Sequence, residues 1–457
     1  MPIYQRKEGE EQPYWPLGPF KVRLPFVHYN LESAEFIQGL IMMIVSISLI
    51  PTLQEYLGLP YDVALAFVVV YQIGLLLPAL LGSPIVGGWI TPAIPLVLTY
   101  LGDFEPGPEA IRAMVALQLI VFLIFFLLGI TKLGGKLIRI VPASLKSGIL
   151  IGAGLAAFIG EIEPEGRVME TPISLITAGI LLAFTMFSLT FQRMRERYRW
   201  ANFISNFGMM PPLIFAIFVG WAVNEFPLPD VEWGITSPAF GEVWAYLPFS
   251  VGLPDINIFL LAIPTAIVAY IIAYGDMIVG DEILKRSDDK RKDEKIDNDM
   301  NRLHLVTSIR NLIQSFFGPY TGLSGPIWTA IQVTVAERYN YGRKAMDSFH
   351  GGAGTFTIAM MVGLFMLPIV TFFEPTLEVA LSTTLLITGY VCVQVGIEQV
   401  KNSSATEIGV ASLTAMVLAV HGAEYGLMAG VIMYFIVQKN YKSKNDISKK
   451  ENVDKSV

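Results

Sequence analysis

Apolar runs of bilayer length recur along almost the whole chain, at 36–53, 64–81, 114–130, 173–189, 256–273, 356–373 and 425–437. A helix needs roughly 20 apolar residues to cross a membrane. Lipid offers the backbone no hydrogen-bond partners, so such segments are confined to helices or closed barrels. These runs are continuous and do not alternate with polar residues, which selects helices. With 53% of 457 residues hydrophobic and 16% charged, the expectation is an all-α polytopic membrane protein.

Counting short and broken segments, fourteen spans are predicted at 34–54, 62–81, 89–101, 110–131, 143–160, 171–191, 207–225, 256–280, 302–317, 322–336, 353–373, 378–397, 403–420 and 423–439. Loop charge tests this count, because basic residues concentrate on the cytoplasmic side. With the N-terminus inside, inner loops carry Lys132, Lys136 and Arg139; Arg193, Arg195, Arg197 and Arg199; the 285–302 charge run; Arg338, Arg343 and Lys344; and Lys401. Outer loops carry Asp103, Glu105 and Glu109; Glu161, Glu163 and Glu165; Glu225, Asp230, Glu232 and Glu242; and Glu374, with only Arg112 and Arg167 basic. Both termini are therefore expected in the cytoplasm and the protein in the cell membrane.

The net charge of −7 is less informative than this segregation. Residues 1–14 are polar and show no signal-peptide pattern. The charge run 287–299 reads as a solvated loop, and the Lys- and Asn-rich 440–457 as a disordered tail. A single cysteine, Cys392, rules out an internal disulfide framework.

Fourteen spans divide into seven plus seven, and an odd number per half makes the repeats inverted. Gly88 and Pro92 recur as Gly322 and Pro326 at an offset of 234, while Leu145, Ile151 and Gly160 recur as Leu381, Ile387 and Gly396 at 236. The first match falls on Gly87-Gly88-Trp89-Ile90-Thr91-Pro92 and Thr321-Gly322-Leu323-Ser324-Gly325-Pro326, which interrupt spans three and ten. Paired interruptions mark the binding site of secondary transporters. Half-helices beginning there would point unpaired N–H groups and positive dipole ends at an anionic or carbonyl-rich solute. The alternative is a pair of kinked packing helices.

The segment Ile140-Val141-Pro142-Ala143-Ser144-Leu145-Lys146-Ser147-Gly148-Ile149, the stretch 207–223, and Ser315-Phe316-Phe317-Gly318 through Ser324-Gly325 resemble the nucleobase-cation symporters, the uracil, xanthine and purine permeases, which share their fold with sulfate permeases. The resemblance implies a core domain of 34–131 and 256–373 and a gate domain of 132–225 and 374–439, with 1–33 a cytoplasmic segment and 226–255 an extracellular loop. It also implies an elevator-type movement and a homodimer. Where the family's nucleobase carriers place carboxylates in spans eight and ten, this chain has Ile272 and Pro326. That departure favours a sulfate-permease-like anion carrier as the alternative to a nucleobase-like solute.

Site candidates follow from these interruptions. Gly88, Thr91, Gly322, Ser324, Tyr320 and Trp328 are expected to bind solute; the two aromatics are equally expected as membrane-interface anchors. Asp276 stands alone among the apolar residues of span eight and is expected to couple transport to a proton or sodium ion, with Arg310 as its counter-ion or as an anion ligand. Its bland reading is a carboxylate near the interface with Asp281 and Glu282. His28, His304, His350 and His421 are scattered without ligand spacing, and no nucleotide-binding or hydrolase motif is present. The chain is therefore read as a permease without cofactor, metal or nucleic-acid partner, and not as an enzyme or channel.

Overall fold

The computed structural model describes residues 2–205 and 207–438, apart from the side chains of 137–139, 202 and 203. The expected tail 440–457 lies outside the described residues. The chain opens with a hairpin, β1 (Trp15–Leu17) against β2 (Phe20–Val22), and continues through α1 (Ser33–Ile47), α2 (Ile50–Leu57), α3 (Tyr61–Leu80), β3 (Gly88–Trp89), α4 (Ile94–Leu101) and α5 (Pro108–Thr131). A second stretch holds α6 (Gly134–Ile140), α7 (Ala143–Ile162), α8 (Arg167–Glu170), α9 (Pro172–Leu182), α10 (Leu189–Arg197), α11 (Arg199–Ser205), α12 (Met210–Val223) and α13 (Pro248–Val251). The remainder is α14 (Ile256–Lys290), α15 (Met300–Phe317), β4 (Ser324–Gly325), α16 (Thr329–Asn340), α17 (Phe349–Leu364), α18 (Leu367–Phe373), α19 (Leu377–Val400) and α20 (Ala405–Met433).

The protein is thus mostly helical, with two small antiparallel pairings, β1 with β2 and β3 with β4, that an all-α expectation omitted. Among the described residues seven helices are long and apolar enough to cross a membrane, or eight if Pro172–Phe187 and Leu189–Arg197, bent by 62°, form one span. Thr91–Leu101, Met210–Val223 and Phe349–Leu364 are apolar but shorter. Polar caps set several helix starts: Asp255 accepts from the N–H groups of Asn257 and Ile258, Asp299 from those of Asn301 and Arg302, and Ser404 forms a capping box with Glu407. Gly422 alone leaves helical dihedrals inside α20, at the place where two spans were expected to separate.

Two packed groups are visible. In one, α15 lies along α5 and α3, and α1 along α17; in the other, α19 and α20 lie along α7, and α12 along α9. Small residues permit the close approaches. A Cβ at Gly154 would lie 2.5 Å from the Gly389 carbonyl oxygen, so α7 and α19 touch through their backbones.

The charge run 287–299 is not a solvated loop. Arg291 and Glu294 are buried, and the segment is clasped between the N-terminal residues and the α16–α17 turn. Arg6 pairs with Asp293 at 3.2 Å and with Glu294 at 3.0 Å, Lys21 and Arg302 both reach Asp297, and Arg291 meets Asp293 at 2.6 Å. Arg291 also donates to the Met346 carbonyl at 2.8 Å and lies 3.9 Å over the Tyr339 ring. Local charge density had suggested solvation, whereas partners hundreds of residues away supply the burial.

Removing one member of a buried pair strands the other. Arg291→Ala should therefore destabilise the protein by roughly 2–4 kcal/mol, discounted for the partly exposed Asp293, measured by thermal unfolding in detergent at pH 7. The hydrogen bond from Arg291 holds the Asp293 carboxyl below its ordinary range. Its contribution is fully present above about pH 4 and is lost as pH falls through the lowered value, so the difference between wild type and variant should shrink there.

Candidate functional site

The extended leads into α4 and α16 meet as β3 and β4, with Gly88 opposite Gly325 and Trp89 opposite Ser324. Flanking backbone bonds extend the crossing: Ile90 N donates to Leu323 O at 2.9 Å and Trp328 N to Val86 O at 2.8 Å. Close contact demands glycine here. A Cβ on Gly88 would lie 2.8 Å from that of Trp328, and one on Gly325 would lie 2.6 Å from the Trp89 carbonyl. Beyond the crossing the chain turns helical at once, through a short 3-10 turn at Thr91–Ala93 that runs into α4 and through α16 from Thr329. Pro92 sits at a helix start, as expected, while Pro326 lies in the extended lead. Neither start carries a side-chain cap, so free N–H groups and positive dipole ends collect at the crossing.

One face of α15 backs this construction. Arg310 is fully buried and donates to the carbonyl of Gly88 at 3.0 Å and to that of Gly325. Asn311 donates to the Ser324 carbonyl at 2.9 Å, and Ser324 in turn donates to Gln314 Oε1 at 2.6 Å. On the other side, Gln332 of α16 accepts from Val86 N at 2.9 Å and donates to Pro84 O at 3.1 Å. Arg310 thus ties the two leads together with side chains that belong to neither. Among the described residues it forms no ion pair with a carboxylate, so the expected pairing with Asp276 is absent and its charge remains beside the crossing.

A small cavity adjoins the crossing, bordered by Ser46 of α1, Tyr71 of α3, Gly88, Trp89, Thr91, Trp328, Met360 of α17 and Thr384 of α19. Its free space, about 10 Å³, is that of a single water-sized sphere. Among the described residues no carboxylate lines it, and the buried Trp89 Nε1–H has no hydrogen-bond partner. A larger cleft of about 520 Å³ lies elsewhere, where Gln54 and Tyr61 face Glu170, Glu225, Glu374 and Glu378.

Of the residues singled out from sequence, Gly88, Thr91 and Trp328 border the cavity. Tyr320, Ser324 and Gly322 form the wall behind it. Tyr320 stacks on Tyr71 at 4.8 Å and donates to the Ser46 carbonyl at 2.6 Å, and Gly322 packs on Leu49 and Trp89. Asp276 is half-buried on α14 near the Cys392 thiol of α19, where the two helix groups meet, and does not border the cavity. The sequence reading passed over Ser46, Tyr71, Asn311, Gln314, Gln332 and Thr384. Arg310, Asn311 and Gln314 share one face of α15, and that polar stripe was a usable signal.

Broken helices meeting inside a bundle of membrane-length helices, with polar groups converging on a closed cavity, define a membrane transport protein. The chain belongs to the Permease family (Xan_ur_permease), whose pattern matches residues 35–325. No curated protein matches. Among solved structures, the transmembrane domain of a cyanobacterium bicarbonate transporter, BicA, matches with a TM-score of 0.53 and 16% identity over 87% of this chain and 96% of that one. The murine Solute Carrier 26 family member A9 anion transporter in its inward-facing state matches with a TM-score of 0.57 and 13% identity over 89% and 68%. A further SLC26A9 structure gives 0.56 and 15% over 88% and 64%. At these identities the likeness is one of fold.

Because a methyl group at either glycine meets its neighbour at under 3.0 Å, Gly88→Ala and Gly325→Ala should each cost roughly 1–3 kcal/mol and lower solute uptake. Gly160→Ala, which meets nothing within 4 Å, is the matched control. Thermal unfolding and uptake in proteoliposomes check both effects.

Proposed function

We propose that the protein is a secondary-active carrier of a small anionic solute, bound where the two half-helices cross. The observation that carries this reading is Arg310: a buried guanidinium without a carboxylate partner lies beside two uncapped helix starts, at a cavity no acid lines. Each of these features favours negative charge, and their effects add in a medium of low dielectric. The structural likeness to BicA and SLC26A9, described as bicarbonate and anion transporters, supports it. A nucleobase-like solute is the second reading, favoured by the family and by the flat faces of Trp89 and Trp328 at the cavity.

In this proposal fourteen spans form two inverted repeats of seven. The group holding α1, α3, α5 and α14–α17 is the moving core, and the group holding α7, α9, α12, α19 and α20 is the gate. The core carries the crossing past the gate in an elevator movement. Both termini face the cytoplasm of a plasma-membrane homodimer. Asp276, placed where core meets gate, is the coupling residue, because an unpaired carboxylate at membrane depth is costly unless a proton or cation joins it.

Uptake by proteoliposomes under imposed proton or sodium gradients tests the proposal with bicarbonate, sulfate, uracil and xanthine as solutes. Saturable accumulation of an anion is expected; accumulation of the neutral bases alone would favour the second reading and overturn the first. Asp276→Asn should abolish accumulation against a gradient while solute exchange stays within about threefold of wild type. Unchanged accumulation in that variant would remove Asp276 from the coupling role.

A further inference from the structure

The N-terminal segment ahead of α1 carries an apolar surface that no other described residue covers. Ile3, Leu17 and Phe26 are 75, 58 and 63% exposed, and Tyr4 and Trp15 are nearly half exposed. Backbone bonds, ring contacts and a shared strand link their positions. Ile3 N and Tyr4 N donate to the carbonyls of Phe26 and Val27, which seats the first strand-like residues beside the Phe26 turn. Tyr4 and Trp15 both pack on His28, at 5.4 and 4.7 Å, and lie 6.4 Å from each other. Leu17 follows Trp15 by two residues in β1 and so shares its face. Phe26 adopts φ of 63°, a left-handed conformation costly for a bulky residue, and is largely exposed.

The position of this surface is fixed by its attachments. Arg23 N donates to Leu80 O at 3.0 Å and Lys21 N to Leu81 O at 3.2 Å, which joins β2 and its continuation to the last residues of the membrane-length helix α3. Arg23 also donates to the Gly82 carbonyl at 3.2 Å. A few residues after Tyr29 the same segment enters α1, which with α2 makes another membrane-length span and whose Ile37 is exposed. On α3, Ile73, Leu77 and Leu80 make an outward apolar stripe at helical spacing that ends at the hairpin. The segment is therefore held at the level where two spans leave the membrane.

We propose that Ile3, Tyr4, Trp15, Leu17 and Phe26 form an interfacial anchor that lies in the lipid headgroup layer without crossing it. The composition fits that layer, since Trp and Tyr present an apolar body with a polar tip and the remaining residues enter the acyl boundary. A lipid surface is the favoured occupant over a second copy of the chain. Five side chains fall well short of the roughly 20–30 residues per partner that a stable protein interface uses, whereas insertion into lipid has no such minimum. The ionic clasp built from Arg6, Lys21 and the 291–299 segment then has a mechanical consequence, because it couples the anchor to α14, α15 and the α16–α17 turn.

The test attaches a polarity-sensitive fluorophore to Leu17→Cys and Phe26→Cys in the full-length protein, with Cys392→Ala as background, and reconstitutes it in phosphatidylcholine vesicles carrying nitroxide-labelled lipids. Glu8→Cys, exposed on the same segment outside the patch, is the reference. The patch positions should be quenched at least twofold more strongly than Glu8→Cys by headgroup-level nitroxide, with blue-shifted emission. The same two positions labelled in a background that retains the buried Cys392 should behave alike, which guards against a folding effect of the alanine. Quenching no greater than at Glu8→Cys overturns the proposal. Self-quenching that grows with protein density, with protection from nitroxide, also overturns it and assigns the patch to a second copy.

Discussion

Where β3 meets β4 the chain has left helical geometry among apolar helices, and lipid cannot hydrogen-bond the backbone groups this releases. The remaining organisation of the site follows from that constraint. The two leads satisfy part of the requirement by pairing with each other, and buried amide and guanidinium side chains satisfy much of the rest: Arg310 at Gly88 and Gly325, Asn311 at Ser324, and Gln332 at Pro84 and Val86. Glycines are needed because these partners approach to backbone contact. What remains unsatisfied is confined largely to the first N–H groups of the half-helices, at the place where a solute can use them.

The choice of arginine for this task has an electrostatic consequence. A neutral amide could also donate to carbonyls, as Asn311 and Gln332 do, but a guanidinium adds a fixed charge that no neighbouring carboxylate cancels. Burying an unpaired ion costs several kcal/mol, partly offset by the carbonyl dipoles that accept from it. A bound anion would offset it further. Fold stability and solute preference therefore depend on the same side chain, which also explains why Arg310 and Asp276 do not need to meet. One belongs to the crossing, the other to the seam between the helix groups.

How much of this could be read from the sequence depended on the range of the interaction. Helical class, the two interruptions, and the cavity residues Gly88, Thr91 and Trp328 were legible because apolar periodicity, Gly-Pro punctuation and small hydroxyls are local signals. Tyr320 and Ser324 were expected to bind solute, yet residue type alone could not tell the cavity from its wall; that depends on partners such as Ser46 and Gln314. The 287–299 run misled for a related reason. Its charges are matched by Arg6, Lys21 and the turn beyond Tyr339, and no local pattern announces a partner so distant. Gly422 was not singled out, although it lies in the gap between two expected spans where α20 breaks.

The central claim is that solute binds at the crossing of the two half-helices. Cryo-electron microscopy of the protein with and without a saturating concentration of its transported solute tests this most directly. The account predicts added density between Trp89, Thr91 and Trp328, in a cavity widened from its present 10 Å³, with Arg310 still holding Gly88 and Gly325. Solute density in the acidic cleft beside Glu170 and Glu378, with the crossing empty and unchanged, would contradict it.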